Sequence, residues 1–176
     1  MTRTIAILAA LALSACAPAP APQPEVTRAA APTAFDPPLY PNETPEIRAL
    51  IERYADYHDI PASLIHRVIQ RESDYRPRAR NGPYWGMMQI LPQTARQMGH
   101  RGGPESLLDA ETTLKYAGRY LRGAWMVADG REYEAMMWYA KGYYYEARNR
   151  CLLKATGLRE TEVRKHCPNG SAPAPF

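Results

Sequence analysis

The chain has 176 residues, 17 of them proline and three cysteine, and a formal net charge of +4. That length suits one domain with a real core rather than several. The positive charges are scattered among acids without a long basic run, so an anionic polymer is as compatible as nucleic acid, and nucleic acid is not an expected partner.

The N-terminus begins with the short positive stretch Met1-Thr2-Arg3-Thr4, and an apolar run from Ile5 to Leu13 follows. The run is too short to cross a bilayer stably, and together the two segments predict an export signal over residues 1–15. Leu13-Ser14-Ala15-Cys16 resembles the lipobox of bacterial lipoproteins. The resemblance implies that Cys16 is lipidated and becomes the first mature residue. A plain signal peptide with a chance cysteine is the other reading. Residues 16–44 open with Ala-Pro repeats and hold few large apolar groups, which predicts a partly extended spacer. The expected location is the periplasm, with the lipid in the membrane, and the outer membrane of a Gram-negative bacterium fits Ala17 after the cysteine.

A folded domain is expected over 45–167. Thr44-Pro45-Glu46 carries a capping hydroxyl, a first-turn proline and an early acid, and Ile47, Leu50, Ile51 and Tyr54 mark the buried face of the helix that follows. Pro61 opens a second helix, in which Leu64, Ile65, Val68 and Ile69 recur at three- and four-residue steps; the next position on that face is Glu72. Arg76-Pro77 and Asn81-Gly82-Pro83 predict a loop, and Pro92 starts a short helix that ends before Gly102-Gly103-Pro104. Asp109 or a neighbour caps a long helix with Leu114, Ala117, Gly118, Leu121, Ala124 and Trp125 inward, where Ala117-Gly118 offers a small surface for close helix approach. Asp129-Gly130 is a turn, residues 132–140 are helical, Lys141-Gly142 is a break, and a last helix is expected to run to Gly157. Residues 168–176 read as a loose tail. The expected fold is therefore all-α. With Cys16 lipidated, Cys151 and Cys167 are expected to pair, as leftover cysteines of an exported chain most often do. No metal is expected, because Cys167 beside His166 lacks the usual ligand spacing.

Glu72 is the anomaly. Burying a carboxylate costs several kcal/mol unless it is paired, so a glutamate on an apolar face tends to keep its proton. Arg67 and Arg71 project elsewhere on the helical wheel. A protonated carboxyl at the edge of a cleft is what glycosidic cleavage asks for, since the leaving oxygen needs a proton. A helix-end glutamate with its head turned to water is the alternative, and periodicity alone does not separate the two.

Glu72-Ser73, Pro77, Ala79 and then Gly86-Met87-Met88-Gln89-Ile90-Leu91-Pro92 resemble the lytic transglycosylases of the soluble-type, goose-lysozyme-like family. Its signature is Glu-Ser, Gly-Leu-Met-Gln and a later Tyr-Asn-Ala-Gly, which stands here as Tyr139-Ala140-Lys141-Gly142. The similarity covers about residues 45 to 145. It implies a lysozyme-like helical domain with a substrate cleft, no cofactor, and cleavage of the β-1,4 bond between N-acetylmuramic acid and N-acetylglucosamine in peptidoglycan glycan strands. It implies one catalytic acid, Glu72, with the sugar's own C6 hydroxyl as nucleophile. This suits a sequence in which Asp74, Asp109 and Glu111 are not evidently placed as a second carboxylate. Ser73, Met88, Gln89 and Tyr139 are implied to line or support the sugar site, with Tyr139 near Glu72, while Met87 is a core residue. Gly86 permits close backbone approach or simply a turn. Asn81 stands for a serine, and Ala140 and Lys141 replace asparagine and a small residue. Tyr84-Trp85 read either as a sugar platform or as core, and Trp125 and Trp138 as core. A hydrolytic muramidase on the same fold and a non-catalytic peptidoglycan-binding lipoprotein are the competing functions.

Overall fold

The computed structural model describes residues 37–167. The signal segment, Cys16, the first part of the spacer and the 168–176 tail lie outside these residues. Helix α1 spans Pro45–His58, with the Thr44 hydroxyl accepting from the Ile47 amide at 3.3 Å and Asp59 closing it in the left-handed region. Helix α2 is Ala62–Glu72, and Leu64, Ile65, Val68 and Ile69 are all fully buried. Two-residue strands β1 (Arg80–Asn81) and β2 (Tyr84–Trp85) pair antiparallel, Arg80 opposite Trp85, in the segment expected to be loop. Helix α3 (Pro92–Gln97) and a 3₁₀ turn over Pro104–Leu108 lead to α4, Ala110–Val127. Helices α5 (Glu132–Lys141) and α6 (Tyr144–Asn149) complete a mostly helical, lysozyme-like domain. No helix among the described residues is long and apolar enough to cross a membrane.

Helix α4 is the axis on which the rest is assembled, packed chiefly against α5 and α1. Its contact with α1 depends on Gly118: a Cβ there would stand 2.5 Å from the His58 ring, and the His58 Nε2 lies 3.0 Å from the Leu114 carbonyl oxygen. The small surface at Ala117-Gly118 therefore admits a buried imidazole, which satisfies one α4 carbonyl in the core.

The chain before α1 is tied to the domain. Arg48 donates from Nε and Nη2 to the two carboxylate oxygens of Glu43, each at 2.7 Å, and also reaches the carbonyls of Pro37 and Pro38.

Two expectations need correction. The last helix ends at Asn149, not Gly157, because Cys151 adopts φ +58 and Leu152 and Leu153 turn inward to the core. Beyond it, turns replace helix. Trp125 and Trp138 are half-buried rather than core. Lys141 places its ammonium 3.8 Å from the Trp138 ring centroid, so that ring sits at the boundary with solvent, where a cation can cover it.

Candidate active site

Glu72 is the last residue of α2, and its side chain keeps 24% of its exposure. Burial raises its pKa above the usual carboxylate value. Arg71 opposes this weakly, its Nε 3.9 Å from Glu72 Oε1, at the outer limit of an ion pair. The two arginines thus behave differently from each other: Arg67 points away and pairs with Glu132 at 2.9 Å, whereas Arg71 reaches Glu72, because at a helix end a long neighbouring side chain can fold back.

Past Glu72 the chain doubles back through two consecutive left-handed residues, Asp74 (φ 52) and Tyr75 (φ 60). The turn is fixed from inside. Ser73 is buried, donates to the Met87 carbonyl at 2.7 Å and accepts from the Arg76 amide at 3.2 Å. The substrate contact expected of Ser73 is therefore corrected: its hydroxyl joins the end of α2 to the Gly86–Ile90 segment. Tyr75 anchors below, its hydroxyl 2.7 Å from His66 Nδ1.

The Gly86–Ile90 segment is held just as closely. Gly86 has φ +77, and a Cβ there would overlap the Leu107 carbonyl oxygen and stand 2.5 Å from Thr113 Oγ1. Close approach and turn geometry both demand glycine. Met87 and Met88 are fully buried. The expected contact of the Met88 side chain with sugar is corrected, because a side chain with no exposure cannot touch a ligand. What Met88 offers is its carbonyl, which accepts from the Tyr139 hydroxyl at 2.8 Å. Gln89, at φ 48, donates from Nε2 to the Gly86 and Ala79 carbonyls at 2.8 and 3.2 Å. Its Oε1 is buried without a hydrogen-bond partner among the described residues.

Gln89 and Tyr139 meet on the wall of a groove of about 210 Å³, together with Tyr84, Tyr120, Ala140 and Lys141. Tyr139 is buried, and burial first and the Glu72 charge second push its pKa well up, so the two side chains feel each other across the site. Tyr120 packs edge-on to Tyr139 with centroids 5.4 Å apart and is itself pushed up to about 12 by burial. Tyr84, 43% exposed, faces the groove as an aromatic surface. Trp85 is instead covered by the Arg80 guanidinium, 4.1 Å from the ring centroid. Ala140 contributes only a methyl group to the wall, and Asn81 is exposed on β1.

The other acids are engaged elsewhere. Asp74 accepts from Asn42 Nδ2 at 2.7 Å, Asp109 caps α4 through the Thr112 amide at 2.8 Å, and Glu111 pairs with Arg53 at 2.6 Å. Cys151 and Cys167 are joined by a disulfide. His166 lies within 4.8 Å of both sulfurs, but bonded sulfurs are not thiolates and do not make a ligand set with it.

Two features of the site had no sequence signal. Tyr120 reads as an ordinary helical residue until α5 is packed beside it. The buried Glu43–Arg48 pair, with His66 Nδ1 3.7 Å from Glu43 Oε1, supports the Tyr75 turn from behind.

The family model of the transglycosylase SLT domain matches residues 49–154, which span the Glu72 turn, the Gly86–Ile90 segment and Tyr139. Neither the curated proteins nor the solved structures give a match.

Proposed function

This chain belongs to the transglycosylase SLT domain family, whose activity is on peptidoglycan, and we propose that it cleaves the β-1,4 bond between N-acetylmuramic acid and N-acetylglucosamine with a single catalytic residue, Glu72. The carrying observation is that Glu72 ends α2 half-buried, with its pKa raised by burial, and that its charge acts on Tyr139, which lines a groove together with Gln89. Protonated Glu72 gives its hydrogen to the bridging oxygen as the C1–O bond breaks. The resulting carboxylate then takes the proton of the same muramoyl residue's C6 hydroxyl, whose oxygen bonds to C1. The products are a free 4-hydroxyl on N-acetylglucosamine and a 1,6-anhydromuramoyl end, and Glu72 is protonated again. Because the nucleophile is tethered to the electrophile, no water has to be held, and intramolecular attack carries a large entropic advantage.

The other residues act around that proton. Gln89 lines the groove, and its amide ties the Gly86–Ile90 segment to the Ala79 carbonyl. Tyr139 holds the Met88 carbonyl and with it the register of Gln89. Ser73 fixes the helix end that carries Glu72, and so acts by positioning. The N-terminal sequence supports an exported lipoprotein anchored through Cys16 on the periplasmic face of an outer membrane, from which the domain reaches the wall.

Mass analysis of the muropeptides released from purified wall tests the reading. Anhydromuramoyl ends are the expected product, and reducing ends would mean hydrolysis. Ala140 at the motif's asparagine position favours a second reading, a peptidoglycan binder that does not cut; wall retained by the protein but never released would select it.

A further inference from the structure

On the α1-facing side of α4 lies a second groove, of about 250 Å³, between α1, the end of α3 and α4. Its lining includes Lys115, Arg119 and Arg122, and no carboxylate. The three are spaced i, i+4 and i+7, which stacks them along one helical face. Among the described residues none of them makes an ion pair. Glu111, one turn before Lys115, is taken by Arg53.

A lone surface cation is ordinarily a solvated group, but these three differ in two ways. The guanidinium groups are held in place: Arg119 donates to the Met98 carbonyl at 3.2 Å, and Arg122 lies 3.1 Å from the Met126 sulfur. They also border a concavity, with exposed Tyr57 and half-buried Tyr116 on its walls. His58 lies beneath, buried, and its pKa is lowered first by burial and further by Arg122 and Arg119. The field of the two guanidinium groups therefore reaches the floor. A concave site lined by one sign of charge concentrates counter-ions of the other.

We infer that this groove is a binding site for a phosphomonoester group, gripped by Lys115, Arg119 and Arg122. A carboxylate needs only one guanidinium, whereas a phosphomonoester carries a charge between about −1.5 and −2 and three acceptor oxygens, which match two planar forks and one ammonium. Tyr57, an exposed residue of the lining, carries a hydroxyl that is a neutral donor. The group can belong to a lipid headgroup or to a soluble phosphate ester, and the site shares no lining residue with the groove of Tyr139 and Gln89, so it does not depend on the proposed cleavage reaction.

The test titrates the full chain with inorganic phosphate by calorimetry. In parallel, the chain is floated with vesicles of phosphatidylcholine, alone or containing phosphatidic acid. Saturable phosphate binding that weakens as salt rises is expected. Lys115→Glu, at an exposed side chain, is expected to weaken it by about tenfold, as loss of one charge-assisted hydrogen bond would. Arg119→Lys with Arg122→Lys keeps the charge but removes the forks, and is also expected to weaken it. Added retention on phosphatidic acid vesicles that Lys115→Glu abolishes assigns a lipid headgroup; phosphate binding without such retention assigns a soluble ester. Absence of saturable binding in both arms, or binding that Lys115→Glu leaves unchanged, overturns the inference.

Discussion

Tyr139 donates to the Met88 carbonyl oxygen at 2.8 Å across 51 residues of sequence, and this bond joins α5 to the segment that presents Gln89. Both partners are buried, so its removal leaves a carbonyl without water to replace the phenol. Tyr139→Phe is expected to lower stability by about 1–3 kcal/mol in thermal or denaturant unfolding. Turnover of wall is expected to fall about ten- to hundredfold, since the groove wall that carries Gln89 loses its register with Glu72. Unchanged melting with unchanged turnover would detach this bond from the site.

The raised pKa of Glu72 fixes the direction of two pH effects. The proposed acid works only while protonated, so kcat/KM is expected to fall as pH rises through the folded pKa, which lies above the ordinary 4.5. For stability, the folded protein holds this proton more tightly than the unfolded chain does. The contribution is therefore full below 4.5 and is lost as pH rises through the folded pKa. Glu72→Gln, neutral at every pH, should then abolish wall cleavage and melt higher than the parent near neutral pH but not in acid. A variant that melts lower than the parent at neutral pH would contradict the burial argument.

Gly86 is a position where substitution is penalised twice. Its φ of +77 is a left-handed conformation, which costs roughly 1–2 kcal/mol for a residue with a Cβ. The added methyl would also collide with the backbone oxygen of Leu107, which cannot swing away as a flexible side chain would. Gly86→Ala is expected to destabilise the domain by about 3 kcal/mol in denaturant unfolding, with overpacking of roughly 1–3 kcal/mol in addition to the backbone cost.

What the sequence made readable was whatever obeys a helical period or a cap. Leu64, Ile65, Val68 and Ile69 pointed to a buried face and placed Glu72 at its edge, and Asp109 announced α4. What it hid lies where the backbone leaves those rules. Asp74, Tyr75 and Gln89 all have positive φ, and after such a residue no periodicity says which way a side chain points. The family resemblance alone places Ser73 and Met88 at the sugar site; it does not say which way a side chain points, and both are buried. Cys151, also left-handed, ended α6 where composition allowed more helix. The Glu43–Arg48 pair stayed invisible because nothing local distinguishes a buried ion pair from two surface charges.

The disulfide closes the segment after α6, joining residues 16 apart in sequence. A loop of about that length is stabilised by roughly 3 kcal/mol through restriction of the unfolded chain. Cys151→Ser with Cys167→Ser is expected to lower unfolding stability by about that amount. Wall cleavage measured well below the melting temperature should persist, because neither cysteine lines the groove of Tyr139 and Gln89. Mass spectrometry that finds both thiols free in the exported protein would remove the basis of this expectation.

Three buried imidazoles set the acid limit of the fold. His58 sits under Gly118, His66 bonds Tyr75 and His100 lies 2.8 Å from Ser106 Oγ; burial lowers all three pKa values below 6.5, with Glu43 opposing and Arg48 assisting at His66 and with Arg96 and Arg101 assisting at His100. The unfolded chain therefore binds protons that the folded one refuses. Their contribution is full above 6.5 and is lost as pH falls through their lowered folded values. Glu43 adds to the loss further down: burial raises its pKa, but hydrogen bonds from Arg48 and Tyr40 outweigh this and hold it below 4.5. The melting temperature is expected to drop between about pH 7 and about pH 5, beyond the gain from Glu72 over the same interval, since three groups act against one. His66→Gln, whose side-chain oxygen can still accept from Tyr75, should flatten that slope. If the slope is as steep in His66→Gln as in the parent, protonation of His66 does not drive the loss.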